Sequence, residues 1–277
     1  MIYSMIQFKN IDSAFSKKAT VYDSYGMSNE IIKHNRDIIR GIVLKNLPDN
    51  GKILELNGGT GSDALFFVNN GFYVHLIDIS EGMIQKSKSK LSTQEIEKRF
   101  KIERKSFENL NDLPRNTFDY IFSNFGGLNC TPNVKKVIQQ FPLVLKDQAF
   151  ITLVIMPPIC PWELLNIFWN PKMALRRLPS LFGSPIKANV SGTQFLTYYY
   201  SVNKIKKLFD SRYKIISLQS ISLFSPPSFL DYFPIKYPKL FKKLLQLDNR
   251  FSKYYPFNFL GDFFVLTLQF NRKRVQH

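Results

Sequence analysis

Between residues 52 and 155, short apolar runs alternate with stretches whose apolar positions recur at helical spacing. Lys52–Leu56, Phe72–Ile77, Phe100–Lys105, Phe118–Ser123 and Ala149–Ile155 read as strands, and Asp63–Asn70, Glu81–Leu91 and Val134–Lys146 as helices between them. Strands that alternate with helices imply a parallel sheet. The unbroken apolar character of Ala149–Ile155 suits a strand covered on both faces. After Met156 the rhythm changes. Residues 156–201 are rich in proline and aromatics, with a helix expected over Trp162–Trp169 and a hairpin pairing Ile186–Val190 with Phe195–Tyr200 around Ser191-Gly192. Asn203–Phe209 and Tyr213–Leu223 restore a helix and a strand, and Asp262–Phe270 reads as the last strand. Between those two strands, Tyr237–Tyr254 has the pattern of an amphipathic helix. No internal repeat or low-complexity tract interrupts this order.

Composition narrows the class. The chain has 277 residues and is 44% hydrophobic, ample for a packed core. Lys9 and Asp12 interrupt what would otherwise be the apolar core of a signal peptide at Met1–Asn10, and Pro157 and Pro158 break the best candidate for a membrane span. A cytoplasmic location is therefore expected. Cys130 and Cys160 are too few for a disulfide framework and are read as reduced thiols, and with His34, His75 and His277 they do not form a metal-binding pattern. The formal charge of +17 bears on partners: nucleic acid, an anionic membrane surface or an acidic small molecule would each be attracted. Because the cations are scattered, a lysine-rich solvated surface accounts for them equally well.

The chemistry concentrates at the first strand. Ile53-Leu54-Glu55-Leu56-Asn57-Gly58-Gly59-Thr60-Gly61 is an aliphatic run that meets a carboxylate and breaks into glycines before a helix, and Asp78 closes the next apolar run. Gly59, Gly61 and Ala64 satisfy a dinucleotide-type spacing. Charge argues against that ligand, because Glu55 and Asp63 would crowd a pyrophosphate at the helix N-terminus. S-adenosyl-L-methionine carries an ammonium and a sulfonium, which an acidic strand end favours, and Asp78 is placed to accept hydrogen bonds from ribose hydroxyls.

These residues resemble the class I S-adenosylmethionine-dependent methyltransferases of small-molecule type. Glu55-Leu56-Asn57-Gly58-Gly59-Thr60-Gly61 is similar to the family's first motif, with Asn57 in place of the first glycine, the least costly exchange where φ is positive. Val74-His75-Leu76-Ile77-Asp78-Ile79-Ser80-Glu81-Gly82-Met83 resembles the second, which implies Asp78 on the ribose and Ile79 and Met83 near the adenine. Ser106-Phe107 falls where the family often carries an acid against the adenine amino group, an acid that Ser106 lacks. Phe118–Gly127 resembles the fourth-strand motif, whose tip, here Asn124-Phe125, faces the transferred methyl. The resemblance covers roughly residues 51–155.

The fold it implies is α/β: a Rossmann-like seven-stranded, mostly parallel sheet with helices on both faces, plus helical and hairpin lid insertions, all within a single domain of residues 1–277. Its parts are an N-terminal cap (1–48), the cofactor core (49–155), a first lid (156–202), the rest of the core (203–223 and 262–271) and a second insertion (224–261). In such enzymes a Tyr-Asp pair like Tyr22-Asp23 and the following helix fold over the cofactor, so Tyr22, Tyr25 and Arg36 would close its methionine end.

The acceptor is less legible. Asn124-Phe125-Gly126-Gly127 stands where amino-methylating nucleic-acid enzymes have Asn-Pro-Pro-Tyr, and it lacks both prolines and the aromatic fourth residue, which lowers the nucleic-acid reading. His34 has a pKa suited to a general base if its helix points it inward. Met156–Glu163 begins at the fifth strand tip and brings Trp162, Phe168 and Trp169 over the site, with Arg176 and Arg177 behind. Such walls suit a hydrophobic acceptor, with Tyr25, Phe125 and Trp162 against it. In the second insertion, lysines beside aromatics suit an interfacial membrane element, although packing of those aromatics onto the domain is the favoured reading. The expected function is methyl transfer to an oxygen of a hydrophobic small molecule in biosynthesis, with a nucleic-acid methyltransferase or a non-catalytic cofactor-binding scaffold as alternatives.

Overall fold

The computed structural model describes residues 2–90, 98–168 and 170–273, so Leu91, Trp169 and His277 lie outside the described residues. Strands β1 (Lys52–Leu56), β2 (Tyr73–Asp78), β3 (Phe100–Arg104), β4 (Phe118–Ser123) and β5 (Leu145–Ile155) run parallel to one another. A hairpin of β6 (Ile186–Val190) and β7 (Thr193–Thr197) stands apart, turning at Ser191-Gly192. Strands β8 (Tyr213–Ile221) and β9 (Phe263–Phe270) complete a seven-stranded sheet in the order β3-β2-β1-β4-β5-β9-β8, with β9 antiparallel to both neighbours. From β1 the chain winds outward to β3 and then returns to β4. The resulting switch point, between β1 and β4, opens a crevice at the carboxyl ends of the strands.

The two-residue period of the strands divides the core. Leu54, Leu56, Ile121, Ile151 and Leu153 face helix α5 (Val134–Val144) and Val202 and Ile205. Ile53, Tyr120, Phe122 and Val154 face the opposite layer, where helix α2 (Glu30–Leu44) contributes Ile39 and Val43, and helix α3 (Ser62–Asn69) contributes Ala64, Phe67 and Val68. Each fully buried side chain of this size contributes roughly 1.5–3 kcal/mol. Glu55 shares the face of Ile53, which turns it toward α2 and α3.

Helix α1 (Ile2–Ser28) has no counterpart in the sequence reading beyond a cap of unspecified form. Its apolar residues form no continuous stripe, and it owes its place to docking. Ile11 and Ala14 pack with Phe195 of β7, and the Gln7 amide exchanges hydrogen bonds with the Leu196 backbone at 2.7 and 3.0 Å. Further along, α1 caps helix α4 (Glu81–Lys90): Asp12 accepts from the Glu81 N–H and Ser16 from the Gly82 N–H, both at 2.9 Å. Gly82 permits this approach, since a Cβ there would lie 2.7 Å from the Ser16 Cα.

The structure shifts one boundary and shortens one helix. Helix α5 (Val134–Val144) passes directly into β5 at Leu145, four residues before the expected Ala149. The extra segment pairs Leu145 with Phe118 across an irregularity in which Gln148 takes a φ of 61°. Its polar residues, Lys146, Asp147 and Gln148, carry no strand pattern. Where a helix is expected from Trp162, the described residues form a short helix, Pro161–Leu165, followed by a 3-10 turn at Asn166–Phe168. The two insertions interlock: the Trp162 indole donates to the Phe224 carbonyl at 3.0 Å and meets the Phe233 ring edge-on at 5.5 Å. Helix Pro238–Phe251 buries Phe241 and Asp248, and Asp248 accepts the Phe224 and Ser225 N–H groups at 2.7 and 3.1 Å.

Candidate functional site

The glycine loop leaves β1 through Asn57, which adopts the left-handed conformation with φ at 50°. Its side chain does more than tolerate the turn. Asn57 Nδ2 donates to the Asn124 carbonyl at 3.0 Å and Oδ1 accepts from Ser123 at 2.6 Å, so the tips of β1 and β4 are clamped together. Gly59, also at positive φ (57°), donates its N–H to Asp78 Oδ2 at 2.9 Å, while Asp78 Oδ1 accepts from Ser80 at 2.8 Å. Burial pushes the Asp78 carboxyl up, against the pull of those backbone donors.

Behind the loop lies a buried charge cluster. Asp63 holds Arg40 at 2.7 Å and Arg36 at 3.5 Å, and it accepts from Asn124 Nδ2 at 2.9 Å. Glu55 is buried beside it. Burial first, then the Asp63 charge, raise the Glu55 carboxyl well above its ordinary range, against the attraction of Arg36 and Arg40. Its Oε2 has no hydrogen-bond partner. A buried, unsatisfied carboxylate oxygen costs several kcal/mol as the ion, on the order of a lost charged hydrogen bond. A cationic ligand group would supply what it lacks.

Asp23 of α1 fastens the cap onto the loop. It accepts from the Thr60 and Ser62 hydroxyls at 2.6 and 3.1 Å and pairs with Lys90 at 2.9 Å. Burial opposes its charge, but the hydrogen bonds of Thr60 and Lys90 prevail and hold it below its usual range. At the β4 tip Phe125 takes a φ of 45°, a conformation that costs a bulky residue roughly 1–3 kcal/mol. The Arg36 guanidinium stacks 5.3 Å from its ring.

These elements enclose a cavity of about 660 Å³. Tyr22, Tyr25, Arg36, Glu55, Asn57, Gly58, Gly59, Thr60, Asp63, Asp78, Ile79, Met83, Phe107, Asn124 and Phe125 all line it, as the sequence reading expects of them. Four expected residues do not. Gly61 sits behind the loop as the N-cap of α3, with φ at 73°. Ser106 accepts from the Glu108 N–H at 3.2 Å and leaves the cavity wall to Phe107. Trp162 is spent on holding the two lids together. His34 lines a separate cavity with Asp248 and Ser252. Two residues of α-helix turn about 200°, so with Arg36 facing the core cavity His34 faces away, and the general-base assignment fails.

Other wall residues escape sequence reasoning because distant segments supply them. Ile11, Phe15 and Lys18 come from α1, Val190 and Phe195 from the hairpin, and Tyr199 and Asp262 from beyond it, while Arg177 stands at the wall behind the first lid, where the sequence reading places it. Lys18 is half-buried, 6.0 Å from the centres of the Tyr22 and Tyr25 rings, and burial lowers its amine pKa. Arg177 is buried and bridges Asp262 at 2.7 Å and Glu163 at 2.8 Å, locking the first lid to the start of β9. Cys130 also faces the cavity, and burial pushes its thiol up to about 12, so it is neutral.

The residues present fit S-adenosylmethionine. The orphaned Glu55 oxygen suits an ammonium, Asp78 suits paired hydroxyls, and the space above Gly59, where a Cβ would meet nothing closer than the Met83 sulfur at 3.9 Å, admits a ligand against the backbone. Residues 53–148 match a family model described as a methyltransferase domain. No curated protein sequence matches the chain. Among solved structures, an S-adenosylmethionine-dependent methyltransferase of Methanosarcina mazei aligns with a TM-score of 0.57 at 16% identity, over 83% of this chain and 97% of its own. The 1,6-didemethyltoxoflavin N1-methyltransferase of Burkholderia thailandensis, solved with S-adenosylhomocysteine, aligns at 0.57 and 13% identity over 97% and 89%. The geranyl diphosphate C-methyltransferase of Streptomyces coelicolor A3(2) aligns at 0.54 and 9% identity over 87% and 79%. At these identities the likenesses establish the fold, and the family model places a methyltransferase domain at residues 53–148, the stretch that forms the glycine loop and the strand tips around the cavity.

Proposed function

We propose that the chain methylates an oxygen of a hydrophobic small molecule bound between the sheet, the α1 cap and the two lids. One observation carries this reading: a single cavity runs from Glu55 and Asp78 to the apolar walls formed by Phe15, Phe195, Phe229 and Phe263. Bound at the strand tips, S-adenosylmethionine supplies a methyl group made electrophilic by its sulfonium. Asp78 would accept from the ribose hydroxyls, Glu55 would answer the ammonium, and Ile79 and Met83 would flank the adenine. Phe125, held by its backbone turn, would border the reacting atoms and help exclude water. Transfer of this kind depends chiefly on in-line positioning. With His34 turned away, an acceptor that arrives as an anion needs no base, and Lys18 at the cavity wall favours an anionic oxygen.

Assaying methyl transfer to a panel of hydrophobic carboxylic acids and phenols, with the product located by mass spectrometry and NMR, tests the reading. Methyl on nitrogen or carbon would correct the atom; transfer to RNA or DNA, with binding that weakens steeply in salt, would move the acceptor to the nucleic-acid reading that the charge of +17 favours.

A further inference from the structure

Both lids turn large apolar side chains outward as well as inward. On the first, Phe168 and Phe182 are 88% and 90% exposed, and Leu165 and Leu181 are exposed beside them. On the second, Ile235 is 81% exposed, with Tyr232, Tyr237 and Leu240 also facing solvent. Clusters of this kind mark interaction surfaces rather than ordinary solvated ones. The two lids touch: Trp162 of the first meets Phe233 of the second at 5.5 Å, and Ile235, two residues beyond Phe233, turns outward from that contact.

The charges around this face are mostly positive. Lys236, Lys239, Lys242 and Lys243 are exposed along and just before helix Pro238–Phe251, with Lys172 on the first lid. Among residues 224–260 the acids are Asp231 and Asp248, and Asp248 is buried on the Phe224 and Ser225 N–H groups. Leu240, Lys243 and Leu247 recur at helical spacing on the exposed side, while Phe241 and Asp248 face inward. Apolar tips that project almost fully, ringed by lysines, suit insertion among lipid chains beneath anionic headgroups more than burial in a complementary protein groove. The cavity lies against the same two lids, through Arg176 on the first and Ser228 and Phe229 on the second.

We propose that the outer face of the two lids docks on an anionic membrane surface, with Phe168, Phe182 and Ile235 inserted at the headgroup boundary and Lys236, Lys239 and Lys243 on lipid headgroups. Docking of this kind is independent of which acceptor is methylated.

Co-sedimentation with vesicles of phosphatidylcholine, with and without phosphatidylglycerol, tests it. The full chain is expected to bind the anionic vesicles and not the neutral ones, and to release in high salt. The double variant Phe182→Ser, Ile235→Ser should bind at least tenfold more weakly, and Lys239→Gln and Lys243→Gln should each lower binding about fivefold. Unchanged S-adenosylhomocysteine affinity by calorimetry would show that the variants are folded. Absence of binding to anionic vesicles overturns the proposal. Binding that the double apolar variant leaves unchanged also overturns it, since charge alone would then hold the protein. A concentration-dependent dimer that the same variant abolishes would instead make this face an interface between copies of the chain.

Discussion

Glu55 is a carboxyl group whose charge the fold resists until a cation arrives, and this sets a pH dependence. Its folded-state pKa lies above the ordinary value, so it contributes stability below the unfolded pKa and loses it as pH rises through the raised folded value. Glu55→Gln should therefore be more stable than the native chain at neutral pH, with the gain shrinking on acidification, as denaturant melts at several pH values would record. S-adenosylhomocysteine affinity should rise with pH across the same window in the native chain and stay flat in Glu55→Gln. Asp78→Ala removes an acceptor whose hydrogen bonds to a ligand are each worth about 1.5–3 kcal/mol, so calorimetry should show affinity falling by about thirtyfold or more. Unchanged affinity would remove Asp78 from the ribose. The placement of both residues at the cavity was legible because each sits at the end of an apolar run. The clamp made by Asn57 was not, since its partners Ser123 and Asn124 lie more than sixty residues away. His34 was misassigned because a plausible residue type says nothing about which side of its helix faces the site.

At the scale of elements, the cap and the first lid are held by a few polar contacts in place of broad apolar faces. Gly82→Ala would set a Cβ 2.7 Å from the backbone of α1, and overpacking of this sort costs roughly 1–3 kcal/mol. Both stability and cofactor affinity should fall, because the same helix carries Tyr22, Asp23 and Tyr25 to the cavity. A variant that melts and binds like the native chain would show that α1 is free to shift. Arg177→Met leaves Asp262 buried without its cation and Glu163 with Arg176 alone, a loss of about 3–5 kcal/mol that denaturant unfolding would measure. The core strands were readable from period and burial. The long α1 helix was not, for its residues carry little apolar stripe and its stability comes from docking on α4 and the β6–β7 hairpin.

For the whole molecule, cap, core and lids share one cavity, so cofactor binding should stabilise them together. S-adenosylhomocysteine at about a hundred times its dissociation constant adds about 2.7 kcal/mol, which raises Tm by roughly 5–10 °C in a single transition for a chain of this size. Two separate transitions would show that the lids melt independently. By itself, the sequence determined the alternating strands, the glycine turn with its two acids and the presence of two aromatic, basic insertions, because these depend on local period, backbone conformation and charge within a few residues. Tertiary structure alone decided that α1 covers the loop, that Trp162 ties the lids instead of facing the acceptor, that His34 lies in another cavity, and which lysines and phenylalanines stay outside. Each of those outcomes depends on which face of one element meets another, and on contacts between residues far apart in the chain, which no local pattern encodes.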